Sequence, residues 1–242
     1  MARVIKEHSV RRGEILDVAQ RLVYSKGYEQ MTVQDILDGL QISKGAFYHY
    51  FGSKPALLEA LIERMLGEAE QLLIPIVHDR HLPALEKLQL YFSTAARWKT
   101  ARKSFLLALL RVWYTDDNAI VRQKMQATGI QRITPLLSAI IHQGVQEGTF
   151  TTFHPDQVGE VVLSLMQGLG DSYSRAILSF EPGSGDPGCL DGTVAAYTDA
   201  VERVLGAPSG SLTLVDSETT REWLAPEDAT PNGEGQQWTV RA

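Results

Sequence analysis

The chain has 242 residues, 44% of them hydrophobic and 21% charged, with a formal net charge of −6. That length accommodates one large domain or two modest ones, and that balance excludes a chain that is disordered or fibrous throughout. The opening "MARVIKEHSVRRGE" lacks an apolar signal core and the longest apolar run, "FLLALL" before Arg111, is too short to cross a bilayer, so a cytoplasmic protein without a membrane partner is expected.

The charge is unevenly spread. Residues 1–55 carry 8 Lys/Arg against 6 Asp/Glu, so the N-terminal region is locally positive within an acidic chain. Because salt screens charges beyond about 8 Å, such a region can meet an anionic partner whatever the net charge.

Ile15, Ala19, Leu22 and Val23 recur at i, i+4, i+7 and i+8, the stripe of a first amphipathic helix that is expected to stop at Gly27. Thr32 opens "TVQDILDGL" with Asp35 three residues on, a capping box, and Val33, Ile36, Leu37 and Leu40 form the apolar face of a short second helix. Ser43 then caps a third helix in which Phe47, Tyr50 and Phe51 share one face, and Gly52 ends it. Ser53 or Lys54 begins a fourth, with Pro55 in its tolerant first turn, running to about Pro75.

Helical periodicity continues through Leu85 to Ala95, "SFLLALLRVWY", Ile133 to Val145, Val158 to Leu178 and Thr193 to Leu205, and no alternating strand pattern competes with it. The reading is therefore all-α. "SFLLALLRVW" is apolar nearly all round, which places it at the centre of a bundle. Pro135 is expected to bend or interrupt its helix, and "EPGSGDPG", 181–188, reads as a loop. Residues 207–242 have the composition of a mobile tail, although Trp223 and Trp238 leave open a short helix at "SETTREWLA" docked on the core.

At about 100° per residue, the apolar face of the third helix leaves Gly45, Tyr48 and His49 on the opposite side, with Lys44 in the first turn. Spacing alone leaves two readings open: core aromatics beside a solvated face, or a recognition helix of a helix-turn-helix presented to DNA. The residue types suit the second. Gly45 permits close approach to a groove wall, Tyr48 offers a ring and a hydroxyl, and Lys44 reaches a base edge or a phosphate.

The segment "GYEQMTVQDILDGLQISKGAFYHYFGSKPALLEALIE", residues 27–63, resembles the N-terminal domain of the TetR family of bacterial transcription regulators: a Gly-aromatic pair, Thr-Val at the second helix, and "Y-x-Y-F-x-S-K" closing the third. The resemblance implies a helix-turn-helix head over 1–53, a helical ligand-binding and dimerisation domain over 54–206, and a homodimer. It assigns phosphate contacts to Thr32, Tyr48 and Lys54 and base contacts to Gln34, Lys44, Gly45 and His49. The pattern is broken at Leu40 and Gln41, where the family usually has Ala and Gly, so Gln41 is expected to take a turn conformation that Gly adopts without steric cost.

The family likeness places dimerisation on the last two helices of that domain. Ser164, Gly168, Ser172 and Ala176 form a small-residue stripe there, completed by Val194, Val201 and Leu205; the same stripe also suits packing within one subunit. For the pocket that the family implies, Trp98, Phe105, Trp113, Met125, His142, Met166 and Tyr173 are candidates, although plain core packing is the commoner role for each. His78 and His81 lack a metal-ligand framework, and the lone Cys189 lacks a partner, so neither a metal nor a cofactor is expected. The chain has no HExxH, paired ExxH, P-loop or GxSxG motif, which argues against an enzyme. The expected function is a transcriptional repressor released from a palindromic operator by a small, largely apolar ligand, the alternative being a helical small-molecule-binding dimer without DNA.

Overall fold

Capping chemistry sets the first boundaries. The computed structural model describes residues 8–114, 118–179 and 190–225, and among them there are ten helices and no strand. The first four are α1 (His8–Gln30), α2 (Val33–Leu40), α3 (Lys44–Tyr50) and α4 (Lys54–His78). The Thr32, Ser43 and Ser53 side chains accept from the backbone N–H three residues on, capping α2, α3 and α4 in turn. At Gly27, where a stop is expected, the backbone leaves helical form (φ 81°, ψ 159°), and a short further helical piece beyond this kink carries α1 to Gln30.

These helices close on Ile15, Ala19, Val23, Ile36, Phe47, Leu57 and Leu58, all fully buried. Arg64 of α4 ties the packing from outside, donating to Asp17 Oδ1 at 2.6 Å and to Gln20 Oε1 of α1.

The larger part comprises α5 (Ala84–Thr100), α6 (Lys103–Trp113), α7 (Ala119–Gln146), α8 (Val158–Ser179), α9 (Asp191–Leu205) and α10 (Ser217–Leu224). Its core gathers Leu88, Leu137, Ile140, Ile141, Phe150, Val162, Val201 and Leu205. The back half of α4, α5 and α7 pack together, and α8 lies between α7 and α9. Both α4 and α7 run on through Pro75 and Pro135, whose rings are exposed, so the expected interruption at Pro135 does not occur. Packing on the flanking turns offsets the one backbone hydrogen bond each proline removes.

Two expectations are corrected. The apolar run of α6 does not lie at the centre of the larger bundle: Phe105 and Leu109 are buried in the N-terminal core, and the Phe105 ring sits 4.8 Å from that of Tyr24 on α1. Nor are residues 207–225 a mobile tail. Leu212 and Leu214 are buried, Glu202 accepts from the N–H groups of Gly210 and Leu212, and α10 is capped by Asp216. The apolar residues there are too few to signal a periodic element, but they suffice to seat a strap on an existing core. The 181–188 segment, Cys189 and Trp238 lie outside the described residues.

Candidate nucleic-acid interface

The turn between α2 and α3 is built from local hydrogen bonds. Thr32 N–H and Oγ1–H both donate to Asp35 Oδ2 at 2.7 Å, and Asp35 N–H returns to Thr32 Oγ1, completing the capping box. Lys26 from α1 adds its ammonium 2.5 Å from the same carboxylate. Lys26 first, and the Thr32 donors after it, hold the Asp35 carboxyl well below the usual carboxylate range. At the other end of α2, Gln41 sits at φ 54°, ψ 46°, the only non-glycine with positive φ among the described residues, and Ile42 N–H closes the turn on Leu37 O. A left-handed residue lets the chain reverse in three residues, which sets α3 across α2.

In α3, Phe47 (0% exposed) and Phe51 at its C-terminus (3%) anchor the helix inward, while Tyr48 is 46% exposed. Lys44, Gly45 and His49 are exposed on the same outward side, and Tyr50 is half-buried. A Cβ on Gly45 would meet nothing within 4 Å, so that flank of the helix is open. The Lys44 ammonium lies 6.0 Å from the Tyr48 ring centroid, close enough to bias both toward the same outer surface.

Three expected positions carry internal bonds as well. Thr32 commits its hydroxyl to the capping box, and Gln34 Nε2 donates to Asp38 Oδ1 at 2.7 Å. Lys54 donates from Nζ to Glu29 O at 3.0 Å and stands 4.4 Å from the Tyr28 ring centroid, and partial burial lowers its pKa. Lys54 therefore ties the start of α4 to the kinked end of α1, with its other ammonium protons left for an anion. Two neighbours were not found from the sequence. The His8 ring packs 4.7 Å from Tyr50 and 5.7 Å from His49, and the Arg12 guanidinium lies 5.2 Å from the Phe51 ring centroid. They join residues some forty positions apart, which local periodicity does not link.

The result is a short, rigidly backed helix that offers a cation, an open glycine flank, a phenol and an imidazole on one convex side, a shape and chemistry that a duplex groove accepts. The family model for bacterial regulatory proteins of the tetR family matches residues 15–61, from α1 through the first two turns of α4. Residues 15–61 therefore form a head of the tetR-family type.

Among curated tetR-family relatives, the chain is similar to the HTH-type transcriptional repressor DhaR of Mycobacterium sp. (strain GP1), 24% identical over 69% of this chain and 82% of that protein. It is also similar to the repressor KstR2 of Mycobacterium tuberculosis, 38% identical over 66 residues, where the match spans 27% of this chain and 33% of that one. In fold it is similar to the reduced form of Escherichia coli NemR, with a TM-score of 0.55, 20% identity and coverage of 82% of this chain and 99% of that one. A transcriptional regulator from Cytophaga hutchinsonii gives a TM-score of 0.57 at 18% identity, covering 88% and 96%.

Beyond its head, the chain holds a cavity of about 510 Å³ between α4, α5, α6, α7, α8 and the C-terminal strap. Of the expected pocket residues, Trp98, Trp113, Met166 and Tyr173 line it. Phe105 and Met125 do not, packing instead on the N-terminal core, and His142 lies at the surface with Nε2 3.0 Å from Asp156 Oδ1. Lys99 and the strap residues Leu214, Val215, Thr219 and Trp223 complete the wall. The tail composition concealed the latter four.

The expected dimer residues divide. Ser164 is exposed and Ser172 and Ala176 are partly so, but Gly168 faces its own subunit, because a Cβ there would come within 2.6 Å of the Tyr197 hydroxyl on α9. Val194, Val201 and Leu205 are buried in the subunit core and cannot also face a partner. Their heptad-like spacing marks the inner face of α9, not the outer one; Ala195, Ala196 and Asp199 lie exposed on the other side.

Proposed function

We infer that this tetR-family regulator works as a homodimeric, cytoplasmic repressor that grips a near-palindromic operator and releases it when a small molecule fills the cavity. The observation that carries the reading is the orientation of α3, with Tyr48 outward and Phe47 and Phe51 inward. In this reading Tyr48 and the free protons of Lys54 meet phosphates, and Lys44, Gly45 and His49 approach base edges. Thr32 and Gln34 sit at the near end of α2, where Thr32 serves first as its cap. In this reading residues 1–53 form the head, and the effector and dimer domain, 54–206, is completed by the strap that closes its cavity, with the outer faces of α8 and α9 joining two copies.

Helix α6 gives the coupling a physical route. Leu106, Leu109, Leu110 and Trp113 line the cavity, while Phe105 and Leu109 are packed into the core that holds α1 and α3. A ligand that displaces α6 therefore displaces the head, and close-packed interiors transmit such shifts. Coupling of about 1–3 kcal/mol, or 5- to 150-fold in operator affinity, is ordinary for this kind of switch. A gel shift with the DNA upstream of its own gene tests the reading: a retarded band that Tyr48→Ala abolishes supports it, and the absence of any DNA complex favours a ligand-binding dimer without DNA.

A further inference from the structure

The wall of the cavity is largely apolar, with a few polar side chains and one cation. Among the described residues Lys99, on α5, is the only cationic one in it, and its ammonium has neither a hydrogen bond nor an ion pair. Much of the side chain is reachable by water, yet protein surrounds it closely enough that desolvation lowers its pKa, with no acid among the causes. The two facts agree if the surface it exposes is cavity wall. The one acid lining the cavity, Asp171, is engaged, accepting from the Tyr114 hydroxyl at 2.7 Å. The preceding residue, Trp98, also lines the cavity, and its Nε1–H is buried without an acceptor among the described residues. Adjacent positions on one helix thus hold an unpaired ammonium and a buried, unpaired indole N–H.

We propose that the cavity binds an amphiphile with a carboxylate head, its anionic oxygens taken by the Lys99 ammonium and its apolar body lying along Leu66, Leu106, Leu110, Leu163 and Met166. The proposal rests on the effector reading above and adds the ligand's charge to it. A cationic ligand would place like charge against Lys99. A neutral hydrocarbon would strip water from the ammonium and return nothing, which is costly for a charge. A carboxylate supplies acceptors and negative charge, matching the unpaired Lys99 ammonium. The cavity volume suits a molecule of drug or medium-chain size.

The experiment uses the full chain and matched pairs of carboxylic acids and their methyl esters with linear, branched and fused-ring bodies, laurate and methyl laurate among them, read by calorimetry and thermal shift. At least one acid is expected to bind about tenfold or more tighter than its ester. Lys99→Met erases that preference and Lys99→Arg largely keeps it; the unliganded melting temperature shows that both variants fold. If no acid outbinds its ester, or Lys99→Met leaves the preference intact, the proposal is overturned. Release of bound DNA is recorded in parallel. A Lys99-dependent acid that leaves the DNA complex untouched supports the head-group assignment and contradicts the effector reading. An ester that binds as tightly as its acid and releases DNA does the reverse.

Discussion

At the scale of the residue, the head depends on two positions where sequence and conformation are in tension. Gln41 holds a left-handed conformation that costs a side-chain-bearing residue about 1–2 kcal/mol. Glycine removes that cost but adds freedom to the unfolded chain, worth roughly 0.4–1 kcal/mol. Gln41→Gly is therefore expected to raise stability modestly, and Gln41→Val to lower it, in urea titrations followed by circular dichroism. Asp35 gives a pH signature. Its folded pKa lies below the unfolded value of about 3.9, so its contribution is full above that value and is lost as pH falls through the folded one. Asp35→Asn should flatten the acid limb of the stability curve below about pH 4 while leaving the limb above neutrality unchanged. A variant whose acid limb matched the wild type would mean that Lys26 and Thr32 do not hold the carboxylate in solution.

At the scale of the element, the contrast between α3 and α6 explains what was legible in advance. The second and third helices announce themselves through Thr32 with Asp35 and through Ser43, because capping involves neighbours three residues apart. The outward turn of Tyr48 follows from the spacing of Phe47 and Phe51 for the same reason. Helix α6 has an apolar surface nearly all round, which says that it is buried but not against what. Its placement between α1 and the cavity depends on contacts such as Phe105 with Tyr24, eighty residues apart. The inner face of α9 was misassigned for a related reason, since an apolar stripe looks alike whether its partner is α8 or a second subunit. The strap at 208–225 was hidden by its Gly, Ser and Thr content; of the two indoles that hinted at docking, Trp223 donates from Nε1 to Thr100 Oγ1 at 2.9 Å. Because Phe105 is wholly buried where head and cavity wall meet, Phe105→Ala should destabilise the protein by about 3–5 kcal/mol. In the same variant, the DNA affinity should respond less to any ligand that releases DNA from the wild type, measured as the ratio of affinities with and without that ligand.

At the scale of the whole molecule, an acidic chain carries a locally cationic head, and two such heads on a two-fold axis would meet one side of a duplex. A dimer so arranged would read two half-sites about one helical turn, or a multiple of it, apart. Each lysine that neutralises a phosphate steepens the salt dependence by about one. Lys44→Ala should therefore reduce affinity, and reduce the salt slope only insofar as its ammonium serves a phosphate. Lys54→Ala should flatten the slope by up to about one, and also lower stability, because Lys54 ties α4 to Glu29 O. The most direct test of the central claim is selection of duplexes from a random pool by the purified full-length protein, wild type beside Tyr48→Ala, with bound sequences read out. The account predicts a near-palindromic consensus for the wild type and loss of enrichment for the variant. Asymmetric single sites, or a palindrome enriched equally by both proteins, would contradict it.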